Sequence, residues 1–139
     1  MDVGRAFLIR CPEDEDLVKF VEDFARKNGI NAGIVNAIGT LKNARLGYFN
    51  KEKGKYEEID IRGYRELLSA MGNISLKNGD VFVHIHAVLG DREGNTVGGH
   101  LIEGKVFVGE VFVLELRGEK LERIKEGSLY LWPPYREKH

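Results

Sequence analysis

Three of the four histidines in this chain lie close together, and their spacing is typical of a metal site. His84 and His86 alternate with apolar residues in the run VHIHAVLG, and His100 follows a turn-rich loop. Because side chains alternate along a strand, His84 and His86 point to the same face. A hairpin turn at Asp91 to Asn95 pairs positions whose numbers sum to about 186, which places His100 directly opposite His86. Three imidazoles on one face predict a divalent metal site, with zinc as the metal and one coordination position left open.

Metal binding has one structural alternative. The three rings also suit a hydrogen-bonded polar cluster that lines a pocket or a seam between subunits. Two acids that follow in the sequence, Glu103 and Glu110, are candidates for a fourth ligand, a partner of a ligand or a proton carrier. Strand parity directs Glu103 away from His100, which weakens its candidacy. No catalytic residue is predicted.

The motifs of several enzyme classes are missing from the sequence. A cupin would carry a glutamate shortly after the second histidine of H-x-H, but Gly90 and Asp91 stand there. The chain contains no glycine-rich phosphate loop with a lysine, no G-x-S-x-G elbow and no C-x-x-C pair. The sequence therefore gives no support to hydride transfer, phosphoryl transfer or serine hydrolase chemistry.

A strand and a helix are predicted before the histidine run. Val3 to Cys11 has an apolar centre between charged ends and predicts a strand, in which Cys11 acts as a small buried residue rather than a reactive thiol. The acidic cluster Glu13 to Asp16 suits a helix start. The apolar stripe from Leu17 to Ala25 predicts a helix that ends at Asn28-Gly29.

The rest of the chain is predicted to form strands. Residues 30–46 indicate two short strands with a bend at Gly39-Thr40, whereas residues 64–71 fit a helix or a strand and end at Gly72-Asn73. The other predicted strands are 56–62, 81–89, 96–102, 105–116 and 121–125. The tail, 129–135, is apolar enough to pack on the body or on a neighbouring subunit. One helix followed by mainly antiparallel strands predicts an α+β fold.

Composition limits the classes of function. A length of 139 residues predicts a single domain, 1–139. The 21 basic and 22 acidic residues give a net charge of −1, which does not favour nucleic-acid binding. One cysteine, an acidic start and the lack of a long apolar run predict a reduced, cytoplasmic protein without a membrane span. Abundant Lys and Glu without Gln lean toward a thermophilic source, and eight Asn lean against it.

Several motifs together resemble a known family. The segment VHIHAVLGDREGNTVGGHLIEGKV resembles the core of the PPC family, the domain conserved between plants and prokaryotes and also known as DUF296. The G-G-H-L piece, Gly98 to Leu101, is its most distinctive part. The stretch around Gly39-Thr40, the segment Gly63 to Leu68 and the later Gly72-Asn73-Ile74 are also similar to family motifs.

The resemblance implies a fold, an assembly and a site. The fold is α+β, a curved, mostly antiparallel sheet packed with one main helix, in which residues 64–71 form a strand. The implied assembly is a homotrimer, and the implied metal ligands are His84, His86 and His100. Plant members join the domain to an R-G-R-P minor-groove binder and act in transcription, whereas this sequence contains no R-G-R-P.

Three functions follow from these expectations. The first is a stand-alone protein of this family with a three-histidine metal site, whose activity the sequence does not define and whose family label suggests DNA binding or regulation. The second is a metal-dependent hydrolase acting on an unknown small substrate, since zinc activates water. The third is a structural, trimeric interaction module.

Overall fold

A computed structural model describes residues 1–137 and consists mainly of long strands around one short helix. His139 lies outside the described residues. The elements in chain order are β1 (Asp2–Cys11), α1 (Leu17–Lys27), β2 (Gly33–Asn50), β3 (Lys55–Lys77), β4 (Asp80–Gly90), β5 (Thr96–Arg117), β6 (Glu122–Glu126) and β7 (Leu129–Leu131). The predicted combination of one helix with a mostly antiparallel sheet is confirmed, with a helix of only 11 residues.

The sheet is strongly curved because its central strands pair in a closed cycle. β2 pairs with β3, β3 with β4, β4 with β5, and β5 returns to β2. β1 adds to the far half of β5, and β6 pairs with the end of β3. The β3–β6 pair is parallel, whereas the other pairs are antiparallel, so the sheet is mixed.

Helix α1 begins and ends where the sequence predicts. Asp16 is the N-cap, and its carboxylate accepts a hydrogen bond from the backbone N–H of Lys19 at 2.8 Å. The other carboxylate oxygen of Asp16 accepts from the Gly104 N–H at 2.7 Å, which fastens the helix start to β5. Asn28 is the C-cap and Gly29 takes a φ of +66°, the left-handed conformation that suits glycine.

The hydrophobic core lies between α1 and one face of the sheet. The helix packs against β4 and β5 and buries its apolar stripe. The core residues it contributes are Leu17, Val18, Val21 and Ala25. Cys11 is buried in the same core, and burial raises the pKa of its thiol to about 12, which agrees with an inert residue.

The predicted strand ends were wrong in three places. Residues 30–46 form most of one strand, β2, because bulges near Gly39 and Lys42 bend it without ending it. β3 runs through Gly72-Asn73, and residues 64–71 are strand throughout. Residues 96–102 and 105–116 are likewise one strand, β5, which shifts register near Ile102.

The apolar tail packs partly on the body of the molecule. The ring of Tyr130 lies 3.9 Å from the ammonium of Lys77, and the ring of Trp132 lies 4.6 Å from the guanidinium carbon of Arg123. Tyr135 is exposed. None of the helical structure in residues 1–137 is both long and apolar enough to span a bilayer.

Candidate metal centre

Strand alternation places the histidines of β4 on the face opposite the core. Val83, Ile85 and Ala87 are buried in the core, so His84 and His86 point to the other side. On β5, His100 is the direct partner of His86. The predicted hairpin register is therefore confirmed, and the three rings lie together.

The three histidines lie where β5 is paired with β4 along one edge and with β2 along the other. The β4–β5 ladder ends at the His86–His100 pair, and His100 is also the register partner of Gly47 on β2. A Cβ on Gly99 would lie only 2.9 Å from the Gly47 carbonyl oxygen, so a glycine allows β5 to approach β2 this closely. His84 therefore lies beyond the end of the β4–β5 ladder, where the centre of its ring is 5.2 Å from that of His100.

Distances within the histidine cluster fit a single small cation. The Nε2 atoms of His84 and His86 are 3.1 Å apart. The candidate ligand atoms of His84, His86 and His100 all lie within 4.8 Å of one another. Two nitrogens bound to one tetrahedral zinc at 2.0–2.1 Å lie about 3.3 Å apart. Small side-chain adjustments bring all three nitrogens into this range.

Burial favours the neutral form of His84 and of His100, the form whose nitrogens can bind a metal. Burial, reinforced by His100, His86 and Arg123, lowers the pKa of His84 to about 4. Burial, with a smaller contribution from His86, also lowers the pKa of His100. Metal ligation requires the neutral imidazole, so the site does not have to release a proton from His84 at pH 7.

One buried polar atom supports a metal most directly. Among residues 1–137, Nδ1 of His100 is buried and has no hydrogen-bond partner. Leaving such an atom unpaired costs about 1–3 kcal/mol. A cation bound through this nitrogen would satisfy it, and the three histidines offer the nitrogen ligands that a divalent metal requires.

Neither acid that the sequence offered as a helper joins the cluster. Glu103 lies after the register shift of β5, which invalidates the simple parity rule, and its Oε1 is 3.4 Å from Nη2 of Arg45. Glu110 is the register partner of Arg10 and Ile38, ten positions along β5 from His100. Within the described chain, the metal-competent group contains only the three histidines.

Sequence reasoning missed three residues beside the cluster. Asn73 on β3 is the direct partner of His84, and the ring of Tyr56 lies 5.3 Å from that of His100. Arg123 on β6 is buried and donates a hydrogen bond to Oδ1 of Asn73 at 2.9 Å. No local pattern marks these residues, since they reach the histidines only through long-range strand pairing.

Most of the chain matches the model of a known family. The model of the Plants and Prokaryotes Conserved (PCC) domain matches residues 1–117, which include all three histidines. The chain belongs to the PCC domain family, as its motifs predict.

Solved structures from two archaea are similar over nearly the whole chain. A plant- and prokaryote-conserved protein from Pyrococcus horikoshii is 48% identical, with a TM-score of 0.95 and coverage of 98% of this chain and 96% of that one. A metal-containing protein from Archaeoglobus fulgidus is 41% identical, with a TM-score of 0.90 and 96% of both chains covered.

More distant similarities carry different descriptions. A candidate DNA-binding protein from Bacteroides thetaiotaomicron is 25% identical, with a TM-score of 0.87 and coverage of 96% of this chain and 94% of that one. The bifunctional protein GlmU of Synechococcus sp. (strain JA-3-3Ab) is 31% identical over 101 residues, which are 72% of this chain. The chain spans only 15% of the length of that curated relative.

Proposed function

We propose that this chain is a metal-binding member of the PCC family, in which His84, His86 and His100 hold one divalent ion. The observation that carries the proposal is that the ligand nitrogens of three imidazoles lie within 4.8 Å of one another, and that Nδ1 of one of them, His100, is buried without a partner among residues 1–137. Zinc is the proposed metal, because it is well satisfied by three imidazole nitrogens and one open position. A relative described as metal-containing, 41% identical, supports the same interpretation.

Metal analysis of protein purified without added metal tests the site. We expect about one zinc per chain in the wild type, as in other three-histidine sites. His84→Ala and His100→Ala should lose most of it, because two ligands hold zinc weakly. Lys51→Ala, in the exposed turn between β2 and β3, is the control and should keep its metal. A folded wild type without any bound metal would overturn the proposal.

Hydrolysis is the second candidate, favoured by the open side of the cluster. Within residues 1–137 no carboxylate or fourth histidine joins the group, so one coordination position is free for a substrate or water. Zinc bound in this way supplies Lewis-acid activation of water. The same purified proteins can be assayed on carboxylic and phosphate esters. Turnover by the wild type that His84→Ala lacks would support hydrolysis.

DNA binding does not form part of this proposal. The description as a DNA-binding protein belongs to a relative that is 25% identical, whereas the present chain has a net charge of −1. Several of its cations are paired with acids, as in the pairs of Lys42 with Glu13 and Asp14 and of Arg26 with Asp80. Proteins that bind the phosphate backbone present unpaired cations on one surface.

We also propose that the chain assembles as a homotrimer. The supporting observation is an open, apolar depression of about 530 Å³ between β1, β2 and β5. Leu8, on β1, is 83% exposed there, and Ile38, on β2, is 55% exposed. Contiguous apolar surface of this kind marks an interaction site more often than a free surface. The family resemblance supplies the expectation of three copies.

A further inference from the structure

Arg123 is a buried cation without an anionic partner among residues 1–137. Only 6% of its surface is exposed, and its guanidinium lies 5.1 Å from the ring of Phe82 and 4.6 Å from that of Trp132. Its hydrogen bonds go to Ser75 Oγ, the Tyr130 carbonyl and Asn73 Oδ1, all of them neutral acceptors. A buried charge is usually paired with an opposite charge, because desolvation is costly.

Arg123 is connected to the histidine cluster through Asn73. Asn73 accepts a hydrogen bond from Arg123 at 2.9 Å and is the direct strand partner of His84, so the two polar side chains share one face of the sheet. The positive charge of Arg123 helps to lower the pKa of His84. The ring of Tyr56, in turn, lies 5.3 Å from that of His100.

A divalent ion would leave this region with a large positive charge. Three neutral imidazoles contribute no negative charge, and no carboxylate among residues 1–137 belongs to the metal-competent group. Arg123, which is hydrogen-bonded to the strand partner of His84, adds to the charge of the ion instead of offsetting it. Electrostatic interactions are strong at a partly buried site, so a negatively charged ligand in the open position would be stabilised by both the ion and Arg123.

We propose that the histidine cluster, Asn73, Tyr56 and Arg123 form a compound site for a small oxyanion, a molecule bearing a carboxylate or phosphate group. This inference rests on the proposed metal site and names the class of its ligand. The anion occupies the open position beside the three imidazoles. Arg123 contributes through its charge, and Tyr56, whose ring lies beside that of His100, is the proposed hydrogen-bond donor to the anion.

The sharpest test adds one negative charge beside Arg123 without changing side-chain shape. Asn73→Asp places a carboxylate between Arg123 and His84, where it neutralises the guanidinium and repels an incoming anion. Asn43→Asp, at an exposed position of β2, is the matched control with the same chemical change. The Asn73→Asp variant should keep the fold, because the new carboxylate accepts the same hydrogen bond from Arg123.

Cobalt(II) loaded in place of zinc provides a readout that does not depend on activity, since its visible spectrum responds to a change of ligand. Inorganic phosphate and acetate are titrated separately, which distinguishes the two anion classes. We expect saturable spectral changes in the wild type and in Asn43→Asp, and affinity weaker by about tenfold or more in Asn73→Asp. Arg123→Lys keeps the charge and should retain most of the binding.

The two proposals fail in different ways. If cobalt and zinc do not bind the wild type, the proposed metal site is wrong. If metal binds but neither phosphate nor acetate changes the spectrum at millimolar concentration, only the anion site is wrong. Equal anion affinity in Asn73→Asp and the wild type would also overturn the role of Arg123, because a new negative charge beside the ligand would then have no effect.

Discussion

Buried polar atoms of the residues in this fold follow two patterns. Glu115 is buried but fully satisfied, since its carboxylate accepts hydrogen bonds from the backbone and guanidinium of Arg5 and from the guanidinium of Arg117. Nδ1 of His100 has no hydrogen-bond partner within the described residues, and Arg123 donates only to neutral acceptors. Oε2 of Glu122 is also buried without a partner, but Glu122 is not part of the histidine cluster. Structural polar groups in proteins are normally paired, so an incomplete group beside other metal-competent side chains is the one that indicates a ligand.

The Glu115 cluster predicts a dependence of stability on acid pH. The hydrogen bonds and charges of Arg5 and Arg117 lower the pKa of Glu115 to about 2, below the 4.5 of a free carboxyl. The folded state thus prefers the carboxylate, and this stabilisation is complete above about pH 5 and lost as pH falls toward 2. Glu115→Gln should lower the thermal midpoint at pH 7 by several degrees.

Thermal unfolding of both proteins across acid pH checks this expectation. The difference between wild type and Glu115→Gln should shrink steadily from pH 5 to pH 2, because protonation removes the charge that the variant lacks. Glu66→Gln, an exposed glutamate on β3, is the control and should follow the wild type. A difference that stays constant over this range would show that the ion cluster does not stabilise the fold.

The histidines of the candidate site could be predicted from the local sequence, but the residues around them could not. Alternation and hairpin register are local rules, and they were sufficient for His84, His86 and His100. Arg123 reaches Asn73 across 50 residues of sequence through the short parallel β3–β6 pair. No local rule predicts such a contact, which is why the positive neighbour of the histidines was found only in the structure.

At the scale of elements, the identity of strands and helix was predictable, but their ends were not. Glycines were interpreted as strand breaks, yet Gly39 and Gly72 lie inside long strands. A Cβ on Gly39 would lie 1.9 Å from the Val108 carbonyl oxygen, so glycine is needed for close strand approach. Sequence shows that a glycine is present, but not whether a turn or a neighbouring backbone requires it.

Gly72 lies where the pairing of β3 and β4 positions a residue of the candidate metal centre, His84. A Cβ at this position would lie 1.9 Å from the carbonyl oxygen of His84 and 2.8 Å from Cα of Ile85. Gly72→Ala must therefore push β4 away at His84. We expect the free energy of unfolding to fall by at least about 1–3 kcal/mol, the usual cost of an extra methyl group in a tightly packed site. The displacement should also weaken metal binding, as measured by zinc titration.

Gly79→Ala is the control for this element-scale prediction. Gly79 lies in the β3–β4 turn at a φ of +76°, with no atom within 4 Å of an added Cβ. The variant should lose about 1 kcal/mol to backbone strain and keep its zinc affinity. If Gly72→Ala binds zinc as tightly as Gly79→Ala, the position of β4 does not determine the site.

For the whole molecule, the apolar depression between β1, β2 and β5 predicts how copies associate. β1 pairs only with β5, so it forms an edge of the described sheet, and Leu8 presents its side chain there. A lysine at Leu8 or Ile38 would place a charge in a contact that excludes water, which is unfavourable without a partner. Leu8→Lys and Ile38→Lys should therefore shift the assembly toward monomers.

Light scattering coupled to gel filtration measures this directly, with 15.7 kDa per chain as the unit. The wild type should have the mass of three chains, and the double variant Leu8→Lys/Ile38→Lys should have the mass of one. Ile124→Lys, at an exposed apolar position of β6, is the control and should remain trimeric. A monomeric wild type would contradict the trimer, and a trimeric double variant would place its interface elsewhere. Metal content measured in the monomeric variant then decides whether the three histidines bind metal without a neighbouring copy. We expect that they do, because all three lie within one chain.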